Sequence, residues 1–514
     1  MSRSLPDPHD AALKYWTSAR DRLEHTIQNY NGSCEQLGFV LNTSPALTTR
    51  YLLDQAFAEL DLEIPALLSL EQNLSKSRHS LETLHNSSPG LAPINSLPSE
   101  ILLSILFLVH EHQDWKTNVN VEVAYDAEAN ARTLSSVCCL WRQLMLNTPK
   151  FWSQILLPLG EYPNRPKHKT AELRVKRSRD SLLDIWISEN RTREKIGHSQ
   201  PSIYHAIQFL TPLFPRVHNL KIHSKDNLAI MIAGQFISSW VNEGTIGTAE
   251  GLNILVGDED ERAFDGISLP KHGTNLSPES FISFFTSLRA LRLRNAVIDL
   301  NSLACTRLEH LHLRYLWGWQ LTTSDIAQVL VSNPMLRSLV LDDITFISNL
   351  PLTTDPIALD KLEVLTLTMR WPSDLWSVMG LIKSSSDGVQ LKISMGADAL
   401  CVDSLHLFSE RCRITDLWLS CETHSDFHIS AILTPMPHLQ TIHLWNFVMT
   451  SNILQDFVRH RSSHPRPLYL WPKLKKIHIT TDSPPEIFES HIRSLLLPNQ
   501  ELSISGVPLP SLFE

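Results

Sequence analysis

The sequence predicts a mixed fold: a helical N-terminal region followed by an α/β solenoid whose short strands form one parallel sheet. Two patterns carry that reading. Up to about residue 155, apolar residues recur three or four positions apart, the period of a helix face. Beyond it, an element of the form apolar-x-x-apolar-x-apolar returns repeatedly, with helix-like stretches between its copies. Composition agrees, since 43% apolar residues in 514 suffice for a large core.

Residues 1–10 read as loose, and Ala11 to Tyr30 as a polar helix with Trp16 and Leu23 as anchors. Residues 46–64 form a second helix, which Asp61 to Pro65 interrupts and restarts. Leu67, Leu70, Leu74, Ser77, Leu81 and Leu84 then step by three and four, a coiled-coil heptad pattern with one polar position. That helix serves either to dimerise or brace the protein, or packs on the helical module that follows. The linker 86–93 closes this region, which spans 1–92.

The next module spans 93–157. It opens Leu97-Pro98-Ser99-Glu100, with Ser96 as the expected N-cap and Pro98 in the first turn. Ile101, Leu102, Ile105, Leu106 and Val109 make one broad apolar face. Leu134, Val137, Cys138, Trp141, Leu144 and Met145 make another, and Thr148-Pro149-Lys150-Phe151-Trp152 closes the stretch. His110 to Arg132 reads as a surface loop. These residues (Leu-Pro-x-Glu, then Val-Cys-Cys-x-Trp-Arg, then Pro-x-x-Trp) resemble an F-box, in the version common in mushroom-forming fungi. The resemblance implies three helices and docking on the Skp adaptor, and through it on a cullin-RING scaffold. The docking residues it implies are Leu97, Pro98, Ile101, Leu102, Ile105, Val137, Cys138 and Trp141, the last three partly as core.

Basic residues gather between Arg165 and Arg179 and at Arg191, Arg193 and Lys195. Acids are mixed in and no aromatic residues interleave, so Thr170 to Arg179 reads as an amphipathic helix with a solvated basic face rather than a nucleic-acid patch. Leu182, Ile185 and Ile187 alternate as a strand. From 165 to 514 the repeated element follows, as in Val217-x-x-Leu220-x-Ile222, Leu288-x-x-Leu291-x-Leu293, Leu308-x-x-Leu311-x-Leu313 and Leu336-x-x-Leu339-x-Leu341. It recurs at Leu362, Ile414, Leu439 and Leu474, with a degenerate copy at Val389. Proline often precedes it, as at Pro334, Pro437 and Pro472. Ser324 to Val331 and Ser451 to Arg459 read as intervening helices; Leu252 to Val256 reads as a strand, and Gly257 to Arg262 as a loop insertion. The pattern resembles the irregular leucine-rich repeats of F-box proteins, with the asparagine of the regular repeat mostly missing.

In such a strand the x residues point away from the core, onto the concave face. Arg292, Arg294, His310, His312, Arg314, Trp418, His443 and Trp445 are the expected substrate-binding residues, with Trp317, Trp319 and Trp371 at the rim. Arginine and tryptophan anchor interfaces, and arginine grips carboxylates and phosphates with two hydrogen bonds. The face therefore either holds a protein segment that is acidic or phosphorylated, or is a solvated sheet face with incidental arginines.

No catalytic signature is present: no HExxH, Walker loop, GxGxxG or GxSxG. Cys421, His424 and His428 are close, but no second ligand pair follows at zinc spacing, so no metal and no cofactor is expected. The net charge of −9 gives no general affinity for nucleic acid or acidic membranes. Seven scattered cysteines without a CxxC pair, and no apolar leader, fit a reduced cytoplasmic or nuclear compartment. The expected function is a non-enzymatic substrate receptor of a cullin-RING ubiquitin ligase of the SCF type. The alternative is an interaction or scaffold protein that uses an F-box-like module without ligase activity.

Overall fold

The computed structural model describes residues 8–43, 50–87, 92–110, 122–159, 168–189, 200–224, 228–245, 247–257, 267–269, 278–298, 305–316, 321–347, 355–395, 402–421, 436–445, 473–480 and 501–505. It divides into two compact units, Met1–Ser96 and Leu97–Glu514.

The first unit is two long helices, α1 (Pro8–Thr43) and α2 (Arg50–Ser87). Helix α1 extends past Ala11 and Tyr30 at both ends, because no proline lies between Pro8 and Pro45 to stop it. Helix α2 is not restarted at Pro65. The proline sits inside it, and the Asp61 carbonyl that loses its donor is on an exposed residue that water can serve. Among the residues of this unit whose burial is described, none is buried.

A 3-10 turn, Pro93–Ser96, closes the first unit, and the second opens with α3 (Ser99–His110), α4 (Glu122–Val137) and α5 (Cys139–Asn147). Helix α3 begins at Ser99 rather than after Ser96: the Leu102 amide donates to the Pro98 carbonyl at 3.0 Å, while the Ser96 hydroxyl turns back to Pro93. The expected loop is helical over its second half, since α4 starts at Glu122. Its alanine-rich stretch favours helix, and Ala131 and Leu134 are buried. The expected single second helix is broken at Cys138, whose extended backbone (φ −156°, ψ 171°) caps α5, with its thiol accepting from the Trp141 amide at 3.5 Å. A second 3-10 turn, Pro149–Trp152, closes the module; the Trp152 indole donates to the Met145 carbonyl at 2.9 Å, and Phe107 stacks on Phe151 with ring centres 4.1 Å apart. The local core is Leu102, Leu106, Ala131, Leu134, Met145, Phe151 and Trp152.

The α/β region then runs β1 (Gln154–Leu159), α6 (Lys169–Ser178), β2 (Leu183–Glu189), α7 (Gln200–Leu210), β3 (Val217–Ser224), α8 (Leu228–Glu243), β4 (Gly251–Val256), β5 (Ile267–Leu269), α9 (Pro278–Phe285), β6 (Ala290–Arg294), β7 (Ala296–Ile298) and β8 (His310–Arg314). It continues α10 (Thr323–Ser332), β9 (Ser338–Asp342), β10 (Ile357–Ala358), β11 (Val364–Met369), α11 (Pro372–Leu381), β12 (Ile382–Met395), α12 (Val402–Arg411), β13 (Cys412–Cys421), β14 (Thr441–Trp445), β15 (Lys476–Thr480) and β16 (Glu501–Ser505). Thirteen of these strands form one parallel sheet in chain order, β1-β2-β3-β4-β6-β8-β9-β11-β12-β13-β14-β15-β16; β10 pairs β12 aside from it, and β5 pairs β7. The parallel sheet that the repeated element predicts is therefore present.

The leucines of the element build the core. Ile185, Leu220, Leu252, Leu291, Leu311 and Leu339 occupy matching positions on successive strands. Each is at most 1% exposed, packed in one cluster with Phe236, Trp240, Ile326, Leu330, Leu375 and Phe408 from the helices. Full burial of each such side chain contributes about 1.5–3 kcal/mol. The expected strand at Leu182 starts one residue later, so Leu183 is buried and Leu182 exposed. Arg174 on α6 is not on a solvated face. It is buried, its Nε donating to the Gln154 carbonyl at 2.6 Å and its terminal nitrogen to that of Phe151 at 3.2 Å, which ties the helical module to the first strand.

Strand ends repeat in detail. Asn295, Tyr315 and Asp343 each follow a strand in the left-handed region (φ 51°, 53° and 49°). Their amides donate forward to the carbonyls of Arg314 and Asp342, which end the next strands, and of Thr368, the last residue but one of its strand. Asn333 is buried; its amide nitrogen donates to Cys305 and Val329 and its oxygen accepts from the Leu308 amide, which locks the turn after α10 to the start of β8.

Candidate functional site

Two surfaces carry the expected site residues. On the helical module, the face expected on α3 is split lengthwise. Leu102, Leu106 and His110 form the buried edge, Ile105 is half-buried, and Ile101 and Val109 are exposed. Leu102 (1% exposed) belongs to the core, a correction to its place in the expected docking set, and Cys138 (7%), expected partly as core, is buried too. The reason is geometric: two adjacent residues on a helix point about 100° apart, so a broad stripe cannot bury both its edges against two short neighbours. Leu97, Pro98, Ile101 and Val137 remain exposed and Trp141 half-buried; Leu108 and Leu140 extend the exposed apolar set.

On the sheet, the face away from the helices carries a row read directly from register: Trp186, Lys221, Asn253, Arg292, His312, Val340, Thr366, Lys392, Trp418, His443 and His478 are successive partners. The two ends of the row differ in character. Toward β2 it is cationic and buried. Lys221 lies 3.9 Å over the Trp186 ring, and Arg292 neighbours His312. One position on, Arg294 lies 5.2 Å over the Tyr315 ring and neighbours Arg314, whose Nε is 3.7 Å from Asp342. Arg292 and Arg294, expected to stand out from the face, are 4% and 5% exposed. With strands about 4.8 Å apart, long neighbouring side chains lie along one another and shield their charges. Among the described residues, Asn253 between Lys221 and Arg292 is 2% exposed and neither of its amide atoms has a hydrogen-bond partner.

That crowding shows in protonation. Burial, and then the Arg292 charge, bring the Lys221 ammonium from 10.5 down to about 7. Burial, then Arg292, Arg314 and His310, hold the His312 imidazole well below its ordinary range, so it is neutral. Burial raises the Asp342 carboxyl, and Arg314 opposes that rise.

Toward β15 the row becomes a stack. The Trp418 and His443 rings are 3.6 Å apart and 13° from parallel, His443 and His478 are 4.6 Å apart, and Lys392 sits 4.9 Å over Trp418. Burial, then His478, bring His443 down to about 4, so it is uncharged at neutral pH. Trp445 is 9% exposed, while His310 is only partly buried. Trp371 stands exposed at the start of α11; Trp317, Trp319, His424, His428, Arg191, Arg193, Lys195, Pro472, the stretch Ser451 to Arg459 and most of Gly257 to Arg262 lie outside the described residues.

Sequence reading missed Lys221, Asn253, Lys392 and Trp186. Their signal was available, because each holds the same x position as Arg292. It also missed a ladder at the starts of the strands. His218 Nε2 is 3.0 Å from Glu250, Arg289 lies 3.7 Å from Glu250 and 3.4 Å from Glu309, and Arg337 lies 3.7 Å from Glu309 and 2.7 Å from Glu363. From Glu250 to Glu363 the charges thus alternate in sign from strand to strand.

Among the described residues no group of three His, Cys, Asp or Glu side chains converges as a metal site, and no helix is long and apolar enough to cross a membrane. No protein-family model matches the chain, and no curated protein matches it.

Proposed function

We propose that this chain is a substrate-receptor subunit of a cullin-RING ubiquitin ligase of the SCF type, with residues 93–157 as an F-box and the α/β region as a divergent leucine-rich-repeat solenoid. The observation that carries the reading is the surface of the helical module. Leu97, Ile101, Leu108, Val137 and Leu140 are exposed around a closed core, on the same short helices that hold the Leu-Pro-x-Glu and Val-Cys-Cys-x-Trp-Arg residues. Exposed apolar residues gathered on one small module support a docking surface. The strands in chain order, with a leucine or isoleucine at each matching position, support the repeat reading.

On this reading the module docks on a Skp adaptor. The sheet face holds a protein substrate, with the buried cations toward β3 taking an acidic or phosphorylated segment and the Trp418 stack taking apolar or aromatic side chains. The chain has no chemistry of its own to perform; holding the substrate beside the ubiquitin-loaded enzyme raises its effective concentration there. The test is co-purification of a Skp adaptor and cullin with the wild type, with Leu97→Ala/Pro98→Ala and with Ile101→Glu. These three residues are exposed, so the fold tolerates the changes. Adaptor and cullin held by the wild type and lost from both variants is the expected result. Wild type that holds neither overturns the ligase reading; adaptor without cullin favours a scaffold built on an F-box-like module.

A further inference from the structure

Helix α2 presents a stripe of exposed leucines. Leu67, Leu70, Leu74, Leu81 and Leu84 are 40%, 58%, 43%, 45% and 65% exposed. Helix α1 meets α2 through the Tyr30 hydroxyl, which donates to Glu63 Oε1 at 3.2 Å, upstream of the stripe. A helix of 38 residues whose leucines stay in water loses its main source of stability, since helices are held chiefly by burial of their apolar face.

The sequence of the stripe states what fits it. In heptad terms Leu67, Leu74 and Leu81 are a positions, and Leu70, Ser77 and Leu84 are d positions. In an antiparallel pair a residues layer against d residues. Turned on itself, this stripe matches throughout: Leu67 meets the partner's Leu84, Leu70 meets the partner's Leu81, and Leu74 meets the partner's Ser77. The flanking e positions include Glu71 and Arg78, and the same antiparallel register sets Glu71 beside the partner's Arg78, twice by symmetry. A parallel pair sets Glu71 beside Ala66 and Arg78 beside Asn73, with no charge attraction. Arg78 presently lies 3.7 Å from Glu82 in an exposed pair, which costs little to exchange. Pro65 lies just before the stripe, so the paired segment is uninterrupted.

We propose that residues 67–84 of α2 pair antiparallel with the same segment of a second copy of this chain, making the protein a homodimer. This is independent of what the module or the sheet face binds.

The test is sedimentation equilibrium of the full chain over a concentration series. The wild type reaches twice the 58.4 kDa chain mass. Leu70→Glu/Leu81→Glu stays at the single-chain mass, and Arg78→Glu weakens association at least severalfold at low salt. The double variant Glu71→Arg/Arg78→Glu restores it, because each exchanged charge again faces its opposite. A single-chain mass for the wild type at every concentration overturns the proposal, as does a dimer that survives Leu70→Glu/Leu81→Glu. Loss on Arg78→Glu without rescue in the double variant overturns the antiparallel register. Circular dichroism of each variant checks that α2 remains helical.

Discussion

The leucines of α2 and those of the strands follow equally clear periods, yet they end in opposite environments. Leu70 is 58% exposed, whereas Leu339 is fully buried. The difference lies in the number of neighbours the chain itself can supply. A strand in the sheet has a strand on each side and a helix behind it, so its apolar row is enclosed by local connections of about 25 residues. A helix pair with one short connection has a surface left over. Periodicity therefore predicts which side of an element is apolar, and connectivity decides whether that side is covered within one chain.

The sharpest way to break the comparison is to remove one leucine from each. Leu339→Ala should cost about 2–5 kcal/mol of stability, because the cavity left between packed rows cannot collapse. Leu70→Ala should move the unfolding free energy of the single chain by no more than about 0.5 kcal/mol. Urea titration followed by circular dichroism, at a concentration where the chain is monomeric, compares them; equal losses would mean that α2 is packed after all.

A smaller effect tests whether the cationic end of the sheet face is enclosed. The native Lys221 gives up its proton near 7, whereas the unfolded chain holds it to about 10.5. Between those values the unfolded state binds more protons, so stability rises with pH. Lys221→Met should flatten that rise and raise stability at and below pH 7, where the charged form is penalised. Urea midpoints from pH 6 to 10 read this out. An unchanged pH dependence in Lys221→Met would show that the lysine is in contact with water.

The smallest effect belongs to the exposed ladder. Glu309→Lys places a cation between Arg289 and Arg337 and should cost about 1 kcal/mol or less, a loss that shrinks as salt is raised. If the loss is independent of salt, the ladder acts through packing and not through charge.

Much of the fold was legible. The eight full copies of the apolar element and the degenerate one all become strands of the sheet, and α10 and β4 lie where the pattern puts them. The misses have particular causes. Arg174 was read as solvated from its basic neighbours, but a buried guanidinium can serve two carbonyls that would otherwise lack donors. Cys138 was read as helix interior, because its extended cap conformation leaves the apolar spacing on both sides intact. Leu102 was read as a docking residue, because adjacent apolar residues look alike until a neighbour chooses between them. The candidate site was legible only in part. Arg292, Arg294, Arg314, Trp418 and His443 were found from strand position, while Lys392 sat in the degenerate copy of the element and Lys221, in a full copy, was passed over.

By itself the sequence determined the order and type of the elements, because alternation and heptad spacing follow from backbone geometry alone. It also determined that the strands are parallel, since each connection carries enough chain to return to the same edge. The tertiary structure decided which cations are buried side by side. Arg292 and His312 are 20 residues apart, and only the pairing of β6 with β8 makes them neighbours. It also decided which apolar residues remain outside. Ile101 and Leu102 differ in fate because three helices close one core over Leu102 and leave Ile101 on the rim, and no property of either residue contains that choice.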